Sequence, residues 1–397
     1  MHIETTAGEL RKALKIVEPA VVTRSALPIL STVLFDGATV TGCDMNLQIR
    51  ADFAATKASG KAALQFFQLK RIVSALPMAE SLCLASGSKS GAGRVTLTFS
   101  GGCYDLLSMP HADFPALATP PAVEEIPVPD GFTRSLKAVR AFISTEETRY
   151  YLNGICLSKN ERGVPVAVAT DGHRLGAHET GLDVAGNPIL PHMTVAALCA
   201  LPNPTHCAFV VRREGKGGDD KASVPTWSRF RFPGIELVSK LIDGTFPDWK
   251  RVVPNIEADH PKMTLDRVET LAALRRLSSS PLNKSVMLAA EGNIVVACRT
   301  SADEDMRGSE RLAGASVENW PGGFLFCFNG SYLRDLLIGH RPSETVTLTG
   351  QSRGAPCVVT GAGNDYVTVL MPMRSEDETF ARHSLGLFGG GKLSAVA

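Results

Sequence analysis

Asp171 and His173 stand two residues apart in the segment Ala169-Thr-Asp-Gly-His-Arg-Leu175. A carboxylate beside an imidazole is the least equipment that general acid–base chemistry needs. A hydrolase would add a nucleophile and an oxyanion site, and no Gly-x-Ser-x-Gly elbow lies nearby. The sequence therefore yields no catalytic residue, no metal ligand set and no cofactor. Thr170-Asp171-Gly172, following a strand over Val164 to Ala169, reads more economically as a tight turn. In that reading Gly172 takes a positive φ and Asp171 caps backbone amides. Met371-Pro-Met373 allows two readings, an edge strand packed into a core or an adaptable surface receiving several partner peptides.

The elements around these segments repeat. Leu10–Val17, Leu136–Ile143 and Leu271–Leu277 each predict an apolar-faced helix, and their starts are 126 and 135 residues apart. A second helix follows in each copy, Leu69–Leu76, Val195–Leu201 and Tyr332–Ile338, ahead of Pro77, Pro202 and Pro342. Proline cannot continue a helix and pushes its predecessor toward extended geometry. The spacing is too long for a solenoid repeat and suits a tripled domain. Ser31–Phe35, Arg94–Phe99 and Thr345–Thr349 alternate or run apolar before glycine turns and predict hairpin strands, giving α+β units with antiparallel sheets. Linkers are expected at Pro115–Pro127 and around Pro254–Pro261, a long glycine-rich hairpin loop at Arg213–Lys221, and a tail of low order from Ser375 through Gly391.

The net charge of +1 conceals an asymmetry. The six helices hold ten basic residues (Arg11, Lys12, Lys15, Lys70, Arg71, Lys137, Arg140, Arg275, Arg276, Arg334) and one acidic residue, Asp335. That leaves 31 basic and 39 acidic residues elsewhere. Basic helices on an otherwise acidic chain point to a polyanion held in one place, although Lys and Arg also serve as ordinary helix formers on solvated faces. No run of eighteen apolar residues is present, so no membrane span is expected. The first residues lack a signal-peptide pattern, and nine scattered cysteines without a CxxC pair read as reduced core thiols of a cytoplasmic protein.

Arg24 with Leu27-Pro-Ile-Leu30, Arg149-Tyr-Tyr-Leu-Asn-Gly154, Thr170-Asp-Gly-His-Arg-Leu175, Phe246-Pro-Asp248 and Met371-Pro-Met-Arg374 occur in one order. Together they resemble the bacterial sliding clamps, the β subunits of DNA polymerase III, over residues 1 to about 374. The resemblance implies three tandem clamp domains (1–122, 123–254 and 255–374), each with antiparallel sheets and two helices, closing as a ring homodimer, with a flexible tail at 375–397. It implies a non-enzymatic processivity factor that encircles double-stranded DNA. The implied partners are the polymerase III catalytic subunit, the clamp loader, and other polymerases and repair proteins carrying clamp-binding motifs. A clamp-fold paralogue serving a specialised polymerase or repair route is the alternative.

The resemblance assigns DNA contact to Arg24 and to Arg149, Tyr150 and Tyr151, with Arg71, Lys137 and Arg140 following from the repeated basic helices. Glu146-Glu147 depart from the family pattern, in which relatives often carry an amide or other less acidic residue, and two carboxylates there would repel phosphate. A client-peptide pocket is implied at Leu152, Thr170, Gly172, His173, Arg174 and Leu175. Its other walls would be Pro247, Arg251, Val252, Asn329 and Tyr332, completed by Leu370, Met371, Pro372, Met373 and Arg374. Asn283 stands where relatives carry an aromatic residue. The ring seam is expected to pair Tyr104 with the helix near Leu277, and Ser278–Ser280 are polar for such a seam.

Ser384-Leu-Gly-Leu-Phe388 in the tail resembles a client motif lacking its glutamine. Two readings stand: a tethered competitor for the chain's own pocket, or a disordered tail whose apolar triplet is chance.

Overall fold

The computed structural model describes residues 1–86, 93–117, 124–213, 223–277, 285–299, 307–341, 343–361, 363, 365–374 and 378–389. Most of the 213–221 loop, Ser278–Ser280, Asn283, and parts of the 115–127 linker and of the tail lie outside them. The chain forms two compact units. Unit 1 comprises Met1–Thr133 and Val184–Asp243, and unit 2 comprises Arg134–Asp183 and Gly244–Ala397.

All six expected helices form: Ala7–Val17, Phe66–Ser74, Phe132–Val139, His192–Ala200, Arg267–Leu277 and Gly330–Gly339. In the first, Thr6 accepts from the Glu9 N–H at 3.3 Å, and Leu10, Ala13, Leu14 and Val17 are buried at helical spacing. Arg11 donates to the Val73 and Leu76 carbonyls at 2.9 and 2.5 Å, satisfying the open end of Phe66–Ser74. The expected helix Leu136–Ile143 ends earlier, at Val139, and tightens into a 3-10 turn over Arg140–Phe142 that buries Phe142.

Strands distant in sequence pair to make each unit's sheet. In unit 1, Leu47–Asp52 pairs antiparallel with Ile235–Lys240, Ile49 opposite Leu237, within a thirteen-stranded sheet. In unit 2, Arg174–Glu179 pairs antiparallel with Tyr366–Leu370, with Arg174 opposite Leu370. That register sets the Asp171 turn beside the Met371-Pro-Met373 segment. A separate four-stranded sheet in unit 2 runs Gly308–Arg311, Ile294–Arg299, Ser285–Glu291, Leu325–Asn329.

The expected low-order tail is corrected by the structure. Glu378–Phe388 is a helix with Ala381, Ser384 and Leu385 buried. It packs on Met287, Ala289, Val296, Cys298, Leu325 and Cys327, one face of the four-stranded sheet. The self-binding reading meets the same fact: Leu385 already serves as core, in a helix rather than a free extended peptide.

Candidate functional site

The turn after Pro165–Thr170 forms as expected. Gly172 has φ +88°, and Asp171 Oδ1 accepts from the His173 and Arg174 backbone amides at 2.9 and 3.0 Å. Thr170 Oγ1 closes the loop, donating to the Arg174 carbonyl at 2.8 Å and accepting from the Gly172 amide at 3.1 Å. The other Asp171 oxygen takes the Arg174 Nε–H at 2.9 Å. Asp171 is therefore a structural acceptor, and the His173 ring lies elsewhere, stacked on Tyr332 with centroids 6.3 Å apart. No acid–base dyad exists between them.

Arg174 is the hub. Its side chain is only 9% exposed and bridges Asp171 to Asp335, which lies 3.1 Å away on the helix Gly330–Gly339. Its guanidinium sits 4.2 Å from the Tyr332 ring centre and 5.4 Å from that of Phe142. Two carboxylates and two aromatic faces hold one cation. Tyr332 is placed by Asn329, whose side chain caps the helix by accepting from the Ser331 and Tyr332 amides at 2.9 and 3.3 Å. Burial pushes the Tyr332 hydroxyl pKa up, so it stays a neutral donor.

The carboxy-terminal segment is laced to the same frame. The Met371 amide donates to the His173 carbonyl at 2.9 Å, and the Met373 amide to the Cys327 carbonyl at 2.7 Å. Met371 and Met373 remain 39% and 40% exposed, and Val252, on the short helix Trp249–Val252, is also exposed. Leu152, Leu175 and Leu370 are buried core residues rather than surface ones. Arg251 pairs with Asp248 at 3.0 Å. Among the described residues no hydrogen bond or ion pair ties Pro247, Arg251 or Val252 to the 170–174 turn.

The basic residues divide into two groups. Arg11 is spent on carbonyls, Lys12 on Glu9, Lys70 on Glu18, Arg276 on Glu310 and Arg334 on Asp335. Lys15, Arg71, Lys137, Arg140 and Arg275 are exposed, with no ion-pair partner among the described residues. So are Arg24 and Arg134, the latter outside the residues singled out by sequence. Arg149 is engaged: Glu146 takes its guanidinium through two bonds of 2.8 and 2.7 Å. That pairing holds the Glu146 carboxyl below its usual range. Tyr150 is exposed beside it, its ring edge-on to Tyr151.

Leu277 does not offer the expected seam surface. It is 3% exposed, buried within unit 2. Tyr104 is exposed on Gly102–Met109, a strand whose pairing toward Lys61–Gln65 covers only Ser108 and Met109. Exposed edges of this kind are sites for further strand addition. The cysteines follow packing: burial pushes the Cys156 and Cys207 thiols up to about 12 and that of Cys298 to about 11. None of the three is a thiolate at neutral pH.

Residues 128–248 match the family described as DNA polymerase III β subunit, central domain. Over 393 residues the chain is 30% identical to the β sliding clamp of Caulobacter vibrioides strain NA1000 / CB15N, covering 94% of this chain and all of that one. The chain belongs to the β sliding clamp family. The E. coli K12 β sliding clamp is 26% identical over 401 residues. A solved Caulobacter crescentus sliding clamp superposes with a TM-score of 0.78 at 28% identity, covering 94% of this chain and all of that one. A Bartonella birtlesii clamp solved with griselimycin bound gives 0.79 at 24% identity over the same shares, which speaks for the fold. Sliding clamps are processivity subunits of DNA polymerase III, not enzymes.

Proposed function

We propose that this chain closes as a head-to-tail homodimer around duplex DNA and tethers DNA polymerase III and other clients through the surface centred on Arg174. The observation that carries the client site is the pair of half-exposed methionines, Met371 and Met373, set beside Tyr332 and His173 on a rigid ionic frame. Adaptable apolar groups over fixed polar anchors are what a short-peptide groove requires. A fluorescent Gln-Leu-Asp-Leu-Phe peptide should bind with micromolar affinity or better. Changing both Met371 and Met373 to alanine should weaken it by about tenfold. Absence of saturable binding by the unaltered chain would remove the client site.

Three clamp domains, 1–122, 123–254 and 255–374, remain the reading of the repeat, with one helix pair in each. The cross-repeat pairing of Leu47–Asp52 with Ile235–Lys240 explains why packing groups the chain in two. We place the ring seam on the open edge beside Tyr104 and on the edge strand Gly308–Arg311 rather than on Leu277. No helix among the described residues is long and apolar enough to cross a membrane, and we place the protein in the cytoplasm, where the chromosome is.

DNA is held by topology and by phosphate attraction without base readout, so the ring slides. The exposed cations Arg24, Lys15, Arg71, Lys137, Arg140 and Arg275 suit that task. Arg149 is held back by Glu146, which accounts for the departure at that loop. Glu146→Gln should release it. Duplex binding is expected to tighten about threefold, and the dependence of log K on log salt to steepen by about 0.9, one added phosphate contact. A salt titration of binding to a short duplex measures this; an unchanged slope would show that Arg149 does not reach phosphate.

A further inference from the structure

The two inner strands of the four-stranded sheet in unit 2 are apolar on both faces. Ser285–Glu291 is buried along all but its last residue, and Ile294–Arg299 along all but its first. In a sheet with one solvated face, buried and exposed residues alternate, as in Leu47–Asp52. A continuous buried run means that something covers each side. The helices Arg267–Leu277 and Gly330–Gly339 pack against this sheet, and Glu378–Phe388 covers the face formed by Met287, Ala289, Val296, Cys298, Leu325 and Cys327. The helix is fixed by more than apolar area. Arg353 reaches both Glu378 oxygens at 2.9 and 2.8 Å and also donates to the Gly323 carbonyl. Ser384 Oγ donates to the Phe380 carbonyl at 2.8 Å, leaving no bare hydroxyl under the helix.

Cys327 links this helix to the client surface. Its side chain belongs to the cluster beneath Ala381 and Leu385, its carbonyl accepts the Met373 amide, and its thiol lies 3.8 Å from the Arg374 carbonyl. The segment Met371–Arg374 is thus held at its start by His173, along its length by Cys327, and past its end by a docked helix.

We propose that the helix Glu378–Phe388 is a positioning element for the client site, clamping Met371–Arg374 in the conformation that receives the peptide; this rests on the client-site reading above. A segment fixed at both ends loses far less entropy on binding than one free to fray. A tail competing for the groove would have the opposite sign, with binding tightening on its release.

Ala381 is fully buried, so Ala381→Asp unseats the helix. The probe is the fluorescent Gln-Leu-Asp-Leu-Phe peptide on the full-length chain. The expected result is binding weakened by about tenfold, with faster amide exchange at Met371 and Met373 and unchanged exchange in unit 1. Arg353→Glu and Glu378→Arg change exposed polar anchors and leave the buried face of the helix intact, which keeps the test independent of folding. Each alone should weaken binding by about twofold, and the double exchange should recover part of the loss, since the Arg353 bond to the Gly323 carbonyl is not replaced. Unchanged or tighter binding, with exchange showing 378–388 released, would overturn the proposal. So would single exchanges that release the helix without affecting the peptide. If the unaltered chain binds no peptide, the client site itself fails and this role goes with it.

Discussion

Arg174→Ala is expected to destabilise unit 2 by about 3 kcal/mol and to abolish client-peptide binding. The cause is the company that Arg174 keeps. Its side chain is nearly buried between Asp171 and Asp335, whose own side chains are 14% and 25% exposed. Removing Arg174 leaves Asp171 without a cation and Asp335 with Arg334 alone, and breaking a buried pair typically costs about 3–5 kcal/mol. The low end applies because Asp171 keeps two amide donors. Peptide binding fails with it, because Tyr332 loses the cation that lies on its ring and the 170–174 turn loses its tie to the helix Gly330–Gly339. Arg174→Lys should fall between, since an ammonium cannot serve two carboxylates and stack on a ring at once. Urea denaturation and peptide titration on the three proteins measure both effects. A stability loss under about 1 kcal/mol would show that the ion network is solvated and the hub assignment wrong.

A second large effect lies in acid. His340 is 3% exposed, its ring 4.5 Å from that of Tyr366, with Thr368 Oγ1 at 3.0 Å from Nε2. Burial, reinforced by the nearby His178 and Arg267 and opposed by Asp365, lowers its pKa from 6.5 to about 4. In the unfolded chain the imidazole protonates as pH falls through 6.5, while in the folded chain it stays neutral until about 4. The unfolded state therefore binds the extra proton, and stability declines as pH falls through that window. At about 1.4 kcal/mol per unit, the fall between pH 7 and pH 5 comes to about 2 kcal/mol. Carboxylates titrate mainly below this range, so the slope belongs to buried histidine. Denaturation across pH 5–7 should show it, and His340→Gln should flatten it.

The turn at Asp171 was legible because its chemistry is local: glycine for the positive φ, and a short carboxylate two and three residues before the amides it caps. The six helices were legible from apolar spacing, and the second helix of each copy also from the proline beyond it. The fate of the charges was not. Arg11 is consumed by carbonyls 62 and 65 residues away, and Lys70 by a glutamate 52 residues back. No pattern within either helix records those partners. Glu146 shows the reverse case, since its i,i+3 relation to Arg149 is visible in sequence. Reading it as repulsion toward phosphate overlooked the nearer cation. The tail was misread because Leu385-Gly-Leu-Phe388 resembles a linear motif. The spacing Phe380, Ala381, Ser384, Leu385 is that of a helix face, and the doubly apolar strands Val286–Ala290 and Val295–Cys298 required a cover. The resemblance points to the helix near Leu277 for the ring seam, while the place of Leu277 on the buried stripe of Arg267–Leu277, with Thr270, Ala273 and Leu274, turns that side chain inward.

A ring around duplex DNA is held by topology, and topology has a direct test. The protein is loaded onto nicked circular duplex DNA by the clamp loader of its own organism with ATP. The complexes are then passed through gel filtration in high salt, which screens phosphate attraction. An encircling ring co-elutes with the circle and is lost when a restriction enzyme cuts the DNA before the column. Equal retention on cut and uncut DNA, or equal loss from both, would contradict an encircling ring.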